Sequence, residues 1–133
     1  MTELLTAIKT RFTSSLAATI TGGLHLTAAP QRTAAPYCVY DVVSGPRDQT
    51  YSNAGLALVA IDFTVWGKTS SAATLALAES LASTYSTVLS LTGKQNNFAR
   101  VMGEPLLAPE SGEGDEQEEW MWGWIVRMEF GIS

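Results

Sequence analysis

Three stretches of the sequence hold residue types that could do chemistry. Gly67-Lys68-Thr69 stands where a strongly β-forming run gives way to a helical pattern, the junction at which a phosphate-binding loop ends its motif. Such a loop also needs a glycine five residues before Gly67, so that successive backbone N–H groups can wrap the phosphates. That position is Asp62, and Phe63, Thr64, Val65 and Trp66 in between are strand formers, so the stretch reads as a strand-to-helix turn with a helix cap. The second stretch crowds Glu110, Glu113, Asp115, Glu116, Glu118 and Glu119 into one segment. A calcium loop of the EF-hand type would need alternating Asp or Asn ligands, a central Gly and a Glu at the twelfth position, set between helices. Here the acids are mostly Glu, irregularly spaced and between strands, which predicts a solvated loop whose charge repels phosphates. The third stretch is the row Trp120, Trp122 and Trp124. Surfaces that stack bases normally carry positive charge, whereas this row follows the most acidic part of the chain. Core packing or a protein–protein interface accounts for it better.

The remaining reactive types stand alone. His25 has no second His and no ordered Cys or Asp beside it, and Cys38 sits among Tyr37, Val39 and Tyr40 as a small hydrophobe would. No nucleophile, base and orienting group can be assembled, so the expectation is no enzyme, no cofactor and no metal. With 133 residues the chain is long enough for one core, and a single domain over residues 1–133 is expected. A net charge of −5 argues against tight nonspecific nucleic-acid binding, which draws its affinity from Lys and Arg. The N-terminus places Glu3 before any base and interrupts its apolar run with Lys9 and Arg11, unlike a signal peptide, and no apolar run approaches the ~20 residues of a bilayer span.

These residues must be held by a small set of elements. Leu5, Ile8, Phe12, Leu16 and Ile20 recur at helical spacing, with Gly22-Gly23 as the stop. Residues 24–36 carry prolines without a period and read as a linker. Tyr37 to Val43 forms a first strand, and Ser44 to Asn53 supplies turn residues with Arg47 and Asp48 at the tip. Gly55 to Gly67 is the longest β-signal. Its odd positions Ala57, Val59, Ile61, Phe63 and Val65 are wholly apolar, while its even positions Leu56, Leu58, Ala60, Asp62, Thr64 and Trp66 are mixed. An alanine-rich helix follows from Thr69 to Leu91 and should cover the odd face. Phe98 to Met102 makes a short strand, and Trp120 to Ile132 alternates again as a second long one. The expected fold is α+β: an antiparallel sheet of about four strands with two helices on one face, in the order α-β-β-α-β-β.

That order, together with Ala35-Pro36-Tyr37, the strand PYCVYDVVSG, the strand VAIDFTVWGKTSSAA, the helix ALAESLASTYSTVL and the closing WGWIVRMEF, resembles the tail-completion proteins of long-tailed phages, also described as tail terminators or head-to-tail joining proteins. The resemblance covers roughly residues 24–132 and includes no catalytic motif. It implies a virion protein that caps the head-proximal end of the tail tube, commonly as a six-membered ring. Its partners would be further copies of itself, the tail tube protein and the head-completion or connector protein, with DNA passing through the centre, no membrane, and a location at the tail–neck junction. The acidic segment and the triple Trp depart from the family pattern.

A closed ring joins one patch to a different patch on the next subunit. Leu56, Leu58, Trp66, Trp120 and Trp122 are the expected subunit or partner contacts, and Arg47, Asp48, Glu110, Glu113, Asp115 and Glu116 the expected loop residues facing a partner or the DNA channel. Two other readings of the same residues stand beside this one: another phage neck or head-completion protein, and a small α+β ligand-binding or enzymatic domain whose aromatic row lines a pocket.

Overall fold

In the computed structural model, which describes residues 2–29, 33–48, 57–107 and 121–132, the long central strand is β3 (Ala57–Gly67). Val59, Ile61, Phe63 and Val65 are fully buried, as the apolar alternation requires. β3 lies between two antiparallel partners, β2 (Tyr37–Asp48) and the closing strand β7 (Trp122–Ile132). The register sets Tyr40 beside Phe63 and Phe63 beside Val126, and it sets Ile61 beside Met128. One face of three strands is thus a continuous apolar surface.

Two helices cover it. The helix α1 (Thr2–Ser15) contributes Leu4, Ile8 and Phe12, continued past its end by Leu16 and Ile20, and α2 (Ser71–Tyr85) contributes Thr74, Ala78, Leu81 and Tyr85. All of the apolar members of this set join the sheet's buried face in one core. The Phe63 ring stacks on Tyr85 at 4.8 Å and on Tyr40 at 6.2 Å. The Tyr85 hydroxyl donates to the Ile8 carbonyl at 2.6 Å, which ties α2 to α1. Burial, the largest cause, raises the pKa of this hydroxyl and keeps it a donor.

The expectation of about four strands is corrected by three short additions: β1 (Leu24–Leu26), β4 (Ser90–Leu91) and β6 (Leu106–Leu107), beside β5 (Lys94–Val101). The order across the sheet is β1-β2-β3-β7-β5-β4, with β6 pairing β7 in line with β5. Residues 24–36 are therefore not all linker, since Leu24–Leu26 runs parallel to Cys38–Tyr40. The chain can turn back there because Gly22 brings its backbone against the Pro36 region. Its N–H donates to the Pro36 carbonyl at 2.7 Å, and a Cβ on it would fall 2.0 Å from the Ala34 oxygen.

Other boundaries differ from expectation as well, and the strand expected over Phe98 to Met102 runs instead over Lys94–Val101 as β5, reaching back to meet β4. α2 ends at Tyr85 rather than Leu91, where Ser83, Thr84, Ser86 and Thr87 crowd together. The Thr84 and Ser86 hydroxyls bond back to the Ser80 and Ala82 carbonyls, which weakens helix continuation. Arg11 closes that end from α1, donating to the Thr87 carbonyl at 2.7 Å and the Val88 carbonyl at 2.8 Å. The expected C-cap Gly93 lies instead in the β4–β5 turn at φ +71°. Arg47 and Asp48 are likewise not at a loop tip: they belong to β2 and pair with Leu58 and Ala57, the strand absorbing its turn-type residues through two register shifts after Val42.

Candidate assembly surface

The second face of the sheet has no helix on it among the described residues, and here the mixed positions of β3 gather. Asp41 of β2, Asp62 of β3 and Arg127 of β7 stand side by side in register. Arg127 grips Asp62 with both arms of its fork, Nε to Oδ1 at 2.7 Å and Nη2 to Oδ2 at 2.9 Å. That hydrogen bond is the leading cause of a raised Arg127 pKa. Asp41, directly opposite Asp62, has no ion pair of its own among the described residues. In the next row Arg100 of β5 pairs with Glu129 of β7, whose carboxylate is buried, and the Arg100 guanidinium also lies 5.3 Å from the Phe98 ring centre.

Two aromatic rings lie flat on this face over glycines of β7. A Cβ on Gly123 would come within 2.6 Å of the Trp66 ring, and one on Gly131 within 2.3 Å of the Phe98 ring. The glycines therefore leave room for the rings, an arrangement in which an aromatic side chain shields a glycine across a strand pair. Replacing Gly123 with Ala is expected to cost about 1–3 kcal/mol by overpacking. Chemical denaturation followed by tryptophan fluorescence measures this, and an unchanged midpoint would show that the ring is not held against Gly123.

The expected contact residues divide between the two faces. Leu58 and Trp66 are half-buried on the open face, although Trp66 is largely occupied with Gly123. Trp122 is half-buried on the opposite face, level with Gly67, and its neighbour Trp124 donates its indole N–H to the Ser71 carbonyl at 3.0 Å, against the start of α2. Leu56, Trp120, Glu110, Glu113, Asp115 and Glu116 lie outside the described residues.

The other candidates for chemistry resolve into packing. Gly67 is required by a close approach, because a Cβ there would be 2.5 Å from Thr74 Oγ1, and Ser70 caps α2 by accepting from the Ala73 N–H at 3.0 Å. His25 bonds the Gly22 carbonyl at 2.9 Å through Nε2 and meets Tyr37 edge-on. Cys38 is fully buried, which pushes its thiol pKa up and leaves it protonated and inert. A groove of about 510 Å³ between α1 and residues 89–92 is walled mainly by Thr and Ser, and a cavity of about 110 Å³ lies between Pro36 and Thr74. Neither has a tryptophan in its wall. Among the described residues no three His, Cys, Asp or Glu side chains gather as a metal site would, and no helix is long and apolar enough to cross a membrane.

Sequence reasoning singled out neither Asp41 nor Arg100, whose positions matter only once the register is known. It also passed over Leu106 and Leu107, for which the one signal was a leucine pair inside an otherwise polar stretch.

The fold is shared with a solved structure. A chain of the virion of a native gene transfer agent particle superposes with a TM-score of 0.59 at 14% identity, over 99% of this chain and 96% of that one. No protein-family model and no curated protein matches the sequence.

Proposed function

We propose that this chain is a structural protein of a phage-type particle, a tail terminator that assembles as a ring on the head-proximal end of the tail tube and joins it to the head connector. The observation that carries the reading is the end-to-end likeness to a virion chain, which spans nearly the whole of both proteins rather than one shared motif. The local resemblance of the strands around Pro36, Gly67 and Trp122 to tail-completion proteins supports the same class. The charge balance fits it too: an acidic protein surrounding a DNA passage does not bind the phosphates it must let through. On this reading the protein is not an enzyme, and its activity is to assemble.

Native mass spectrometry and sedimentation of the purified chain test the proposal. The expected result is a closed oligomer that appears or sharpens when tail tube protein is added. A monomer at every concentration, with and without tube protein, would overturn it.

A further inference from the structure

Six large apolar side chains are exposed among the described residues, and five of them lie at the two ends of the sheet. At one end are Leu26 of β1 and Val43 of β2; at the other are Met102, Leu106 and Leu107, the last two 67% and 56% exposed. Both ends also present strand backbone that has no partner among the described residues. β1 covers β2 only as far as Tyr40, so Asp41 to Val43 has no neighbour on that side among the described residues. At the far end β5 and β6 run in line along β7, and β4 covers only Lys94 and Gln95. Natural sheets usually protect such edges with charge or a covering element, and neither β1 nor β6 contains a charged residue.

The two ends are complementary in charge. Asp41, half-buried, without a cation among the described residues and opposed by Asp62, lies at the β2 end of the open face. Arg100, which pairs with Glu129 on one side but keeps its side chain 63% exposed, lies at the β5 end of the same face. Like charges directly opposite in a sheet are unfavourable; Arg127 neutralises Asp62, while among the described residues no cation pairs with Asp41. Apolar side chains also flank both edges. Leu26 is on the helix side of one end and Leu107 and Leu106 on the helix and open sides of the other, as their register partners show, while Val43 is the extra residue at the β2 register shift and directly follows the helix-side Val42.

From this we infer that copies of this chain join head to tail, the β1–β2 end of one sheet docking on the β5–β6 end of the next, with Asp41 facing the neighbour's Arg100. The inference rests on the ring reading and names the surface that builds the ring. A second copy is the occupant because this chain supplies both edges and both charges. Two-fold pairing of either end would instead set Asp41 against Asp41 or Arg100 against Arg100.

Single-cysteine cross-linking tests it. Val43→Cys and Leu106→Cys change exposed side chains, and the only native cysteine, Cys38, is buried. The two variants, mixed in equal amounts and treated with a short thiol-to-thiol cross-linker, are expected to give dimers containing one of each in excess of random pairing, with few cross-links when either is treated alone. In parallel, Asp41→Lys should raise the concentration at which the oligomer half-dissociates by about tenfold at low salt, without lowering the unfolding midpoint. Like-with-like cross-links, or an intact oligomer that yields no mixed dimer and ignores Asp41→Lys, would overturn the head-to-tail contact while leaving ring assembly standing. A protein that forms no oligomer at all would overturn both.

Discussion

Truncating Phe63 to alanine is expected to destabilise the fold by about 3–5 kcal/mol, the range for removing a large aromatic side chain from a packed core. The ring is fully buried in the middle of β3 and stacks on Tyr40 of β2 and on Tyr85 of α2. Its removal leaves a cavity at the place where sheet and helix meet. The Tyr85 ring then loses its support, and with it the geometry of the hydroxyl that holds the Ile8 carbonyl of α1. Since domains of this size have a total stability of about 5–15 kcal/mol, the variant should lose a large share of it and unfold at a much lower denaturant concentration. Equilibrium urea unfolding checks this. Phe63→Leu keeps most of the volume and should cost less than half as much, so equal losses for the two variants would mean that the stacking geometry, not the filled space, sets the stability.

That core was readable before any coordinates because it follows from alternation. Val59, Ile61, Phe63 and Val65 on one strand, and Val126, Met128 and Phe130 on the other, are spaced two apart, and period two admits only one way of facing a core. Other features obeyed rules that act over shorter or longer distances. β1, β4 and β6 are two or three residues long, too short for alternation to distinguish from a loop, and they exist because a neighbouring strand offers unpaired backbone. The far part of β2 contains Ser44, Gly45 and Pro46, good turn residues that tertiary pairing with β3 kept in the sheet by shifting the register. The end of α2 is set partly by Arg11, more than seventy residues away in sequence. The open-face charges belong to the same class. Asp41, Asp62, Arg127, Arg100 and Glu129 are ordinary surface residues in the sequence, and only the pairing of four strands sets Asp41, Asp62 and Arg127 in one row with the Arg100–Glu129 pair in the next.

Asn96 is a polar residue that the same long-range logic placed in the interior, and replacing it should produce the second large effect. It stands where the register of β5 on β7 shifts between Asn96 and Phe98. Its Oδ1 accepts from the Leu89 N–H at 2.7 Å, and its Nδ2 donates to the carbonyls of Phe98 at 2.7 Å and Gly131 at 3.0 Å. One amide thus satisfies three backbone groups, the carbonyls of Phe98 and Gly131 beside the register shift and the N–H of Leu89 ahead of β4. Asn96→Leu fills nearly the same space and makes none of these bonds. With roughly 1–3 kcal/mol for each buried group left unsatisfied, a loss of about 3 kcal/mol or more is expected. Asn96→Asp separates hydrogen bonding from packing. Its carboxylate can still accept from Leu89, but two carbonyl oxygens now face a negative charge in a buried site, so the folded-state pKa of the new carboxyl must rise above its unfolded value. A group with a raised folded pKa and an acidic proton is favoured when protonated. The penalty relative to the native protein is therefore full at neutral pH and shrinks as pH falls through that folded pKa toward the ordinary carboxylate range, where the protonated group can donate to one carbonyl. Unfolding midpoints of Asn96→Asp and the native protein at pH 7 and pH 4.5 should converge on the acid side. A difference that stays constant with pH would show that the site is solvated and that the three bonds do not hold β4 and β7 together.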